Sequence, residues 1–227
     1  MNTKRVLILS SWILAIAVAM ACDRGVATWV RHVGSDEWLR SHRLVTEIFK
    51  APGVYATTVI IAIVVMLKHP LRWRAAAFLL LATGASGVSW GLKLVVGRTR
   101  PFRLQVFGPD GQLRATPFHL TPFPEGLHNL LGTRNLCFPS GHAALAFATA
   151  AALAMLWPNA KWRWAAFVVA GLVAVERVVE NAHWLSDVVA AVALGIGCVH
   201  VVRWLVMRYF PPPAPLEARG PEVIANE

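Results

Sequence analysis

Charged residues are scarce in this sequence. Only 15% of its 227 residues are Asp, Glu, Lys or Arg, whereas an ordinary soluble domain has about 25%. Hydrophobic residues make up 56% of the chain, and the mean hydropathy is +0.53. Such a chain has too little polar surface for a water-soluble globule and too many apolar residues for a disordered one. The composition indicates a polytopic membrane protein.

Acidic residues and cysteines are also few. There are 22 Lys and Arg against 12 Asp and Glu, a formal net charge of +10. The basic residues lie mainly between apolar runs, so we expect the anionic headgroups of membrane lipids and a phosphate-bearing substrate as partners, and no nucleic acid. The three cysteines form no CxxC pair and predict neither a metal site nor a disulfide framework. Nothing in the sequence specifies an oligomeric state.

Six apolar runs of near-membrane length recur along the chain, with no strand-like alternation between them. They cover about Val6–Cys22, Val54–Leu67, Ala75–Val96, Gly141–Trp157, Trp164–Val179 and Val188–Met207. The pattern predicts an all-α domain over residues 1–210 with six transmembrane helices. Lys4 and Arg5 before the first run resemble the start of a secretory signal, but we expect this segment to be retained, since it makes the helix number even.

The segments between and after these runs differ in character. Residues 23–52 mix aromatic, aliphatic and charged side chains, which predicts amphipathic helices lying on the outer membrane surface. Residues 97–139 are rich in Pro, Gly, Phe and Arg and predict an outer loop. Residues 211–227 begin with three prolines and predict a disordered tail.

The basic residues of the short connections indicate the orientation of the bundle. The connections on the expected inner side contain no acidic residue. Their basic residues are Lys4, Arg5, Lys68, Arg72, Arg74, Lys161 and Arg163. Positively charged connections favour the cytoplasmic side of a membrane. We therefore expect both termini inside, in a bacterial inner (plasma) membrane.

Three polar groups stand out because charges near a membrane are costly and usually functional. They are Lys93 with Arg100-Pro101, then Pro139-Ser140-Gly141-His142, and finally Arg177 with His183 and Asp187. With six helices, all three groups fall on the outer face, so their side chains can meet in one pocket that opens outward.

The residue types suit phosphoryl transfer. Lys93, Arg100 and Arg177 can trap an oxyanion, while Ser140 and the amides of Gly141 and His142 at a helix start add donors. His183 and Asp187 are four residues apart, on one helical face if the segment is helical. The carboxylate can hold the imidazole in one tautomer for attack, and His142 can protonate the leaving oxygen.

Taken together, Lys93-x6-Arg100-Pro101, Pro139-Ser140-Gly141-His142 and Arg177-x5-His183-x3-Asp187 resemble the three-part signature of the type 2 phosphatidic acid phosphatases. The resemblance implies a membrane-embedded phosphatase of lipid phosphates or diphosphates that needs no metal and no cofactor. Carried over by position, His183 would be the nucleophile, Asp187 its orienting residue and His142 the proton donor. The phosphate would be held by Lys93, Arg100, Ser140, Gly141 and Arg177.

One residue departs from the family pattern, and other functions stay open. The family often has Ser before the arginine of the third motif, where this chain has Glu176. We expect its carboxylate to turn away from the phosphate and pair locally. A phosphotransferase that passes the group to a second lipid would need the same residues. An anion transporter or binding protein would explain the cations, but not the His and Asp residues that accompany them.

The orientation is testable by cysteine labelling. With the motifs outside, a Gly111→Cys variant should react with a membrane-impermeant thiol reagent in intact cells, since residue 111 lies in the predicted outer loop. The parent chain, with its native cysteines only, gives the background. Labelling that appears only after lysis would reverse the predicted orientation.

Overall fold

The computed structural model of the chain describes residues 3–33, 43–101, 136–157 and 159–209. Over these ranges the chain forms eight α-helices and no β-strand, with one isolated antiparallel bridge between Thr99 and Leu136. The prediction of an all-α fold is confirmed. The helices are α1 (Thr3–Val33), α2 (Arg43–Lys50), α3 (Tyr55–Lys68), α4 (Arg72–Ala85), α5 (Val88–Val96), α6 (Gly141–Leu156), α7 (Ala160–Val179) and α8 (Leu185–Tyr209).

Fewer helices qualify as membrane spans than the sequence predicts. By length and composition, three segments of the described chain can cross a membrane: Val6–His32, Arg72–Val96 and Leu185–Tyr209. A fourth arises if Leu44–Gly53 and Tyr55–Lys68, which meet at a bend of 57°, form one span. Helix α6 is apolar but has only 16 residues, about 24 Å at 1.5 Å per residue. The six-span, N-in and C-in arrangement therefore remains a prediction.

The outer surface of the bundle is apolar, as an integral membrane protein requires. Leu7, Ile13 and Leu14 on α1 are each more than 60% exposed, and such a row of aliphatic side chains is stable in lipid rather than in water. Exposed aromatic side chains at the start of α4 and α7 and at the end of α8 are typical of a membrane interface. They are Trp73, Trp162, Trp164, Trp204 and Tyr209.

Helix α6 lies at the centre of the bundle and packs against α4, α7 and α8. Its sequence is rich in alanine, and small side chains allow neighbouring backbones to approach closely. The closest approach involves Gly195 of α8, where an added Cβ would lie 2.3 Å from the carbonyl oxygen of Ala144. This contact holds the middle of α8 against the first turn of α6, and the backbone N–H of Ser140 donates to the carbonyl oxygen of Asp187 at the start of α8.

The chain order of the helices brings four polar ends to one side of the bundle. The end of α5, the start of α6, the end of α7 and the start of α8 share this side. The bridge between Thr99 and Leu136 joins the segment after α5 to the segment before α6. The side chains of all three motifs therefore lie at one end of the bundle.

The segments outside the six runs are described only in part. Helix α1 continues to Val33, so residues 23–33 extend the first apolar helix instead of starting a separate surface helix. Helix α2 is short and amphipathic, with Leu44 and Ile48 exposed. Residues 34–42, most of the predicted outer loop (97–139) and the predicted tail (211–227) lie outside the described residues.

Candidate active site

Lys93 and Arg100 reach the site from the end of α5. Helix α5 ends at Gly97 in the left-handed conformation, with φ 62°, which glycine adopts without strain. Lys93 lies in the last turn, within electrostatic range of Arg100 and Asp187. Arg100 donates from Nη1 to the carbonyl oxygen of Ala182 at 3.2 Å. Burial lowers the pKa of Arg100, but a guanidinium keeps its charge at physiological pH.

Ser140 stands at the N-terminal cap of α6, yet its hydroxyl does not cap the helix. A serine there normally accepts a hydrogen bond from an amide of the first turn. The backbone N–H of Ser140 donates to the carbonyl oxygen of Asp187 at 3.1 Å. Gly141 and His142 follow in the first turn, where unpaired amides attract anions. Gly53 packs so closely that an added Cβ would lie 2.8 Å from the carbonyl oxygen of His142.

His183 and Asp187 form a buried pair at the start of α8. Nδ1 of His183 lies 3.5 Å from Oδ2 of Asp187, close enough for electrostatic attraction but long for a hydrogen bond. Oδ2 of Asp187 also accepts from the backbone N–H of Trp184 at 2.9 Å. Burial lowers the pKa of His183 to about 4, and Asp187 only partly offsets this. The imidazole is therefore neutral at neutral pH.

Arg177 is held by two carboxylates. Its Nε donates to Oε2 of Glu176 at 2.5 Å and its Nη2 donates to Oε1 of the same residue. Nη2 also donates to Oε2 of Glu180 at 2.5 Å. Glu176 thus pairs locally, as expected, but its partner is a residue expected to hold phosphate. In this arrangement the carboxylates occupy the donors that an anion would use.

Three buried polar atoms mark the place where a ligand would fit. Among the described residues, the buried side-chain nitrogen and oxygen atoms without a hydrogen-bond partner are Arg100 Nε, Ser140 Oγ and His183 Nδ1. Each belongs to a different one of the three sequence motifs. Because buried polar atoms are nearly always paired, Arg100 Nε and Ser140 Oγ indicate a site that a polar ligand completes, whereas His183 Nδ1 faces Asp187.

A cavity of about 330 Å³ has Lys93, Gly141 and His142 in its wall, and Gly141 directly follows Ser140 in the chain. Tyr55 and Trp90 also line it, and each is 46% exposed on the apolar surface of the bundle. A larger apolar crevice of about 510 Å³ between α3, α6 and α7 contains none of the motif residues. The smaller cavity is therefore the one that belongs to the polar site.

Two residues absent from the predicted site take part in it. Arg98 is 2% exposed and donates from Nη1 to Oδ1 of Asp187 at 2.5 Å, and from Nη2 to Oδ2 of Asp23 at 2.6 Å. Arg98 sits between Lys93 and Arg100 in the sequence, so its position near the first motif was a usable signal. Asp23 gave no such signal, because a charge just after an apolar run is ordinarily exposed.

The eight predicted residues thus lie at one end of the bundle, and the carboxylates near them form ion pairs with arginines. Over the described ranges, no group of three or more His, Cys, Asp or Glu side chains is arranged to hold a metal ion. Within the described part of the chain, Arg98 and Arg177 form ion pairs with carboxylates, whereas Lys93 and Arg100 form none. The geometry is that of a site for an anion.

A family model described as the PAP2 superfamily matches residues 72–211, more than half of the chain. The chain belongs to the PAP2 superfamily. This match confirms the resemblance to the type 2 phosphatidic acid phosphatases that the three motifs indicated. Helices α1, α2 and α3 precede the matched residues.

Two crystal structures of PAP2 relatives share the fold. LpxE from Aquifex aeolicus aligns with a TM-score of 0.55 and 19% sequence identity, covering 78% of this chain and 93% of LpxE. A transmembrane PAP2-type phosphatidylglycerolphosphate phosphatase from Bacillus subtilis aligns with a TM-score of 0.59 and 18% identity, covering 88% of this chain and 96% of that protein. At these identities the likeness concerns the fold alone.

One curated relative also matches in sequence. The lipid A 1-phosphatase of Porphyromonas gingivalis is 38% identical over 77 residues, which are 33% of this chain. The match spans only 17% of the length of that relative. It supports the family assignment over a short stretch of the chain.

The pairing of Glu176 with Arg177 predicts a gain in anion affinity when the carboxylate is removed. A Glu176→Gln variant should lower the KM for a phosphate substrate, and the inhibition constant of inorganic phosphate, by a few-fold. Its amide competes less strongly for the guanidinium. We expect kcat to stay within a few-fold, since Glu180 still orients Arg177.

The matched control is Glu47→Gln, which removes the same charge from an exposed carboxylate of α2 that pairs with Lys50. It should leave both constants unchanged. A rise in KM with Glu176→Gln would show that Glu176 holds Arg177 in its binding geometry rather than competing with the anion.

Proposed function

We propose that this PAP2 protein is an integral membrane phosphatase that hydrolyses lipid phosphate monoesters or lipid diphosphates through a phosphohistidine at His183. The observation that carries the proposal is the set of unpaired buried atoms, one from each motif, at the end of the bundle where Lys93 and His142 line a cavity. Arg100 Nε and Ser140 Oγ are donors that suit phosphate oxygens. The third atom belongs to the imidazole that would attack.

The binding of phosphate follows from the free donors of the pocket. Lys93 supplies an ammonium group in the cavity wall, and Arg100 supplies Nε. The hydroxyl of Ser140 and the amides at the start of α6 add neutral donors. Arg177 joins when the anion draws its guanidinium away from Glu176. We propose that these cations neutralise the phosphoryl group without a metal ion.

The attack itself would come from Nε2 of His183. Since the low pKa keeps the ring neutral, the lone pair is available, and Asp187 beside Nδ1 favours the tautomer with the proton on Nδ1. Attack forms a P–N bond and breaks the bond from phosphorus to the lipid oxygen. His142 takes up a proton as the phosphate anion binds, because the negative charge favours the imidazolium, and it then donates that proton to the leaving oxygen.

The second half of the cycle uses water. His142, now neutral, accepts a proton from the attacking water, whose oxygen forms a new bond to phosphorus. The P–N bond breaks, inorganic phosphate leaves, and His183 returns to its neutral form. Proton and phosphoryl balance are therefore complete with no residue beyond His142, His183 and Asp187.

The surroundings of the cavity favour a lipid substrate. Tyr55 and Trp90 border it on the apolar surface of the bundle, so a phosphate attached to a membrane lipid can reach Lys93 sideways. Two of the relatives above are named as phosphatases of a lipid, lipid A in one case and phosphatidylglycerolphosphate in the other. We propose undecaprenyl diphosphate, phosphatidylglycerol phosphate, phosphatidic acid and lipid A phosphates as the panel to test, with the site facing outward from a bacterial inner membrane.

The mechanism predicts acid-labile labelling of His183. Purified protein mixed with lipid [³²P]phosphate should form a phosphoenzyme that survives excess chelator, is suppressed by vanadate and still forms near pH 5, where an ordinary histidine is mostly protonated. His183→Ala should abolish both labelling and phosphate release. His142→Ala should slow release but still permit labelling from a nitrophenyl phosphate, whose leaving group needs no protonation.

The control is His200→Ala, which removes an exposed histidine from the lipid-facing side of α8 and should change nothing. Label that moves to a second lipid without release of phosphate would identify a phosphotransferase. Full activity of His183→Ala, or an absolute requirement for added magnesium, would contradict the proposed mechanism.

A further inference from the structure

Asp187 belongs to a buried cluster of three charged side chains. The guanidinium of Arg98 contacts two carboxylates, with Nη1 2.5 Å from Oδ1 of Asp187 and Nη2 2.6 Å from Oδ2 of Asp23. All three side chains are at most 2% exposed. Trp184 covers the guanidinium, whose Cζ lies 5.4 Å from the ring centroid.

Asp23 reaches this cluster from the first helix and also holds the start of α8. Its Oδ1 accepts from the backbone N–H of Ser186 at 2.9 Å, and its Oδ2 accepts from the hydroxyl of Ser186 at 2.6 Å. The same hydroxyl accepts from Nη1 of Arg98 at 2.7 Å. Asp23, Arg98 and Ser186 therefore form a closed ring of hydrogen bonds next to Asp187.

This ring restricts Asp187 to one orientation. Burial alone would lower the pKa of Arg98, but the two carboxylates raise it above its ordinary value, so the cation is firmly held between them. Breaking one contact would leave a buried charge without its partner, which is strongly unfavourable. With Oδ1 fixed on Arg98, Oδ2 is the oxygen that faces His183.

Asp23 lies outside residues 72–211, the part that matches the PAP2 superfamily. A carboxylate inside an apolar helix is costly without a role. If Asp23 only capped α8 through the backbone N–H of Ser186, it would not need its contact with the guanidinium of Arg98.

We propose that Asp23 is a positioning residue for the reaction: it holds Arg98, and through Arg98 it orients Asp187 toward His183. The proposal rests on the proposed phosphatase function. It makes helix α1 part of the active site, although α1 contributes no group that touches the substrate. The effect should fall on the chemical step, because the contacts of Asp23 and Arg98 lead to Asp187, the carboxylate beside His183.

The test is a set of kinetic constants for phosphate release by purified protein in detergent. Asp23→Asn should lower kcat by roughly 10- to 100-fold, the range found when an outer residue that orients an active group is removed, with KM unchanged within twofold. The conservative Asp23→Glu should recover part of this loss, because it restores the charge opposite Arg98.

A double-mutant cycle separates positioning from simple packing. If Asp23 acts through Arg98, then Asp23→Asn combined with Arg98→Gln should lose no more kcat than the worse single variant. The double variant also removes one anion with the cation, so it leaves fewer unpaired buried charges than Arg98→Gln alone. If Asp23 only ties α1 to Ser186, the fold-losses in kcat of the two single variants should multiply in the double variant.

The matched control is Val30→Ala, a buried position on α1 about two helical turns beyond Asp23. It should lower the melting temperature without lowering kcat. The inference is overturned if Asp23→Asn behaves like Val30→Ala, if it raises KM instead of lowering kcat, or if the cycle is multiplicative. An inactive wild type on the whole lipid panel would instead refute the proposed function, whereas an active wild type with a fully active Asp23→Asn refutes this inference alone.

Discussion

The burial of charge at one end of an apolar bundle is the constraint on which the rest of the structure depends. Arg98 cannot lie between α1 and α8 without anions, and Asp23 and Asp187 supply them from two different helices. This pairing joins the first helix to the last and fixes the carboxylate beside His183. The hydrogen bond from the backbone N–H of Ser140 to the carbonyl oxygen of Asp187 then brings Ser140 and His142 to the same place.

The polar end of the bundle contains two kinds of cation. Arg98 and Arg177 are already paired with carboxylates, whereas Lys93 and Arg100 have donors left for a ligand. Carboxylates beside a phosphate site weaken anion binding, which helps an enzyme to release inorganic phosphate after each turnover. A phosphoryl oxygen would satisfy the unpaired atoms of Arg100 and Ser140. A shorter contact with Asp187 would satisfy Nδ1 of His183.

The sequence predicted that the motif residues lie together, but it did not predict the contacts that hold them there. Motif residues such as Lys93, Ser140 and His183 are visible because polar residues beside apolar runs are rare, and the order of the helices brings them together. The partnership of Asp23 with Arg98 spans 75 residues, and no local pattern encodes such a contact. The apolar run ended at Cys22, so Asp23 was expected on the surface, whereas helix α1 continues past it to Val33.

The span number illustrates the same limit, since hydropathy finds apolar stretches but not which of them face lipid. Helix α6 is apolar because it is buried among other helices, and α7 carries charged residues near both ends.

The most direct test of the catalytic account is a structure of the protein with orthovanadate bound. We expect vanadium bonded to Nε2 of His183, with oxygens in contact with Lys93, Arg100 and Ser140. Vanadate bound away from His183, or held only through a metal ion, would contradict the account.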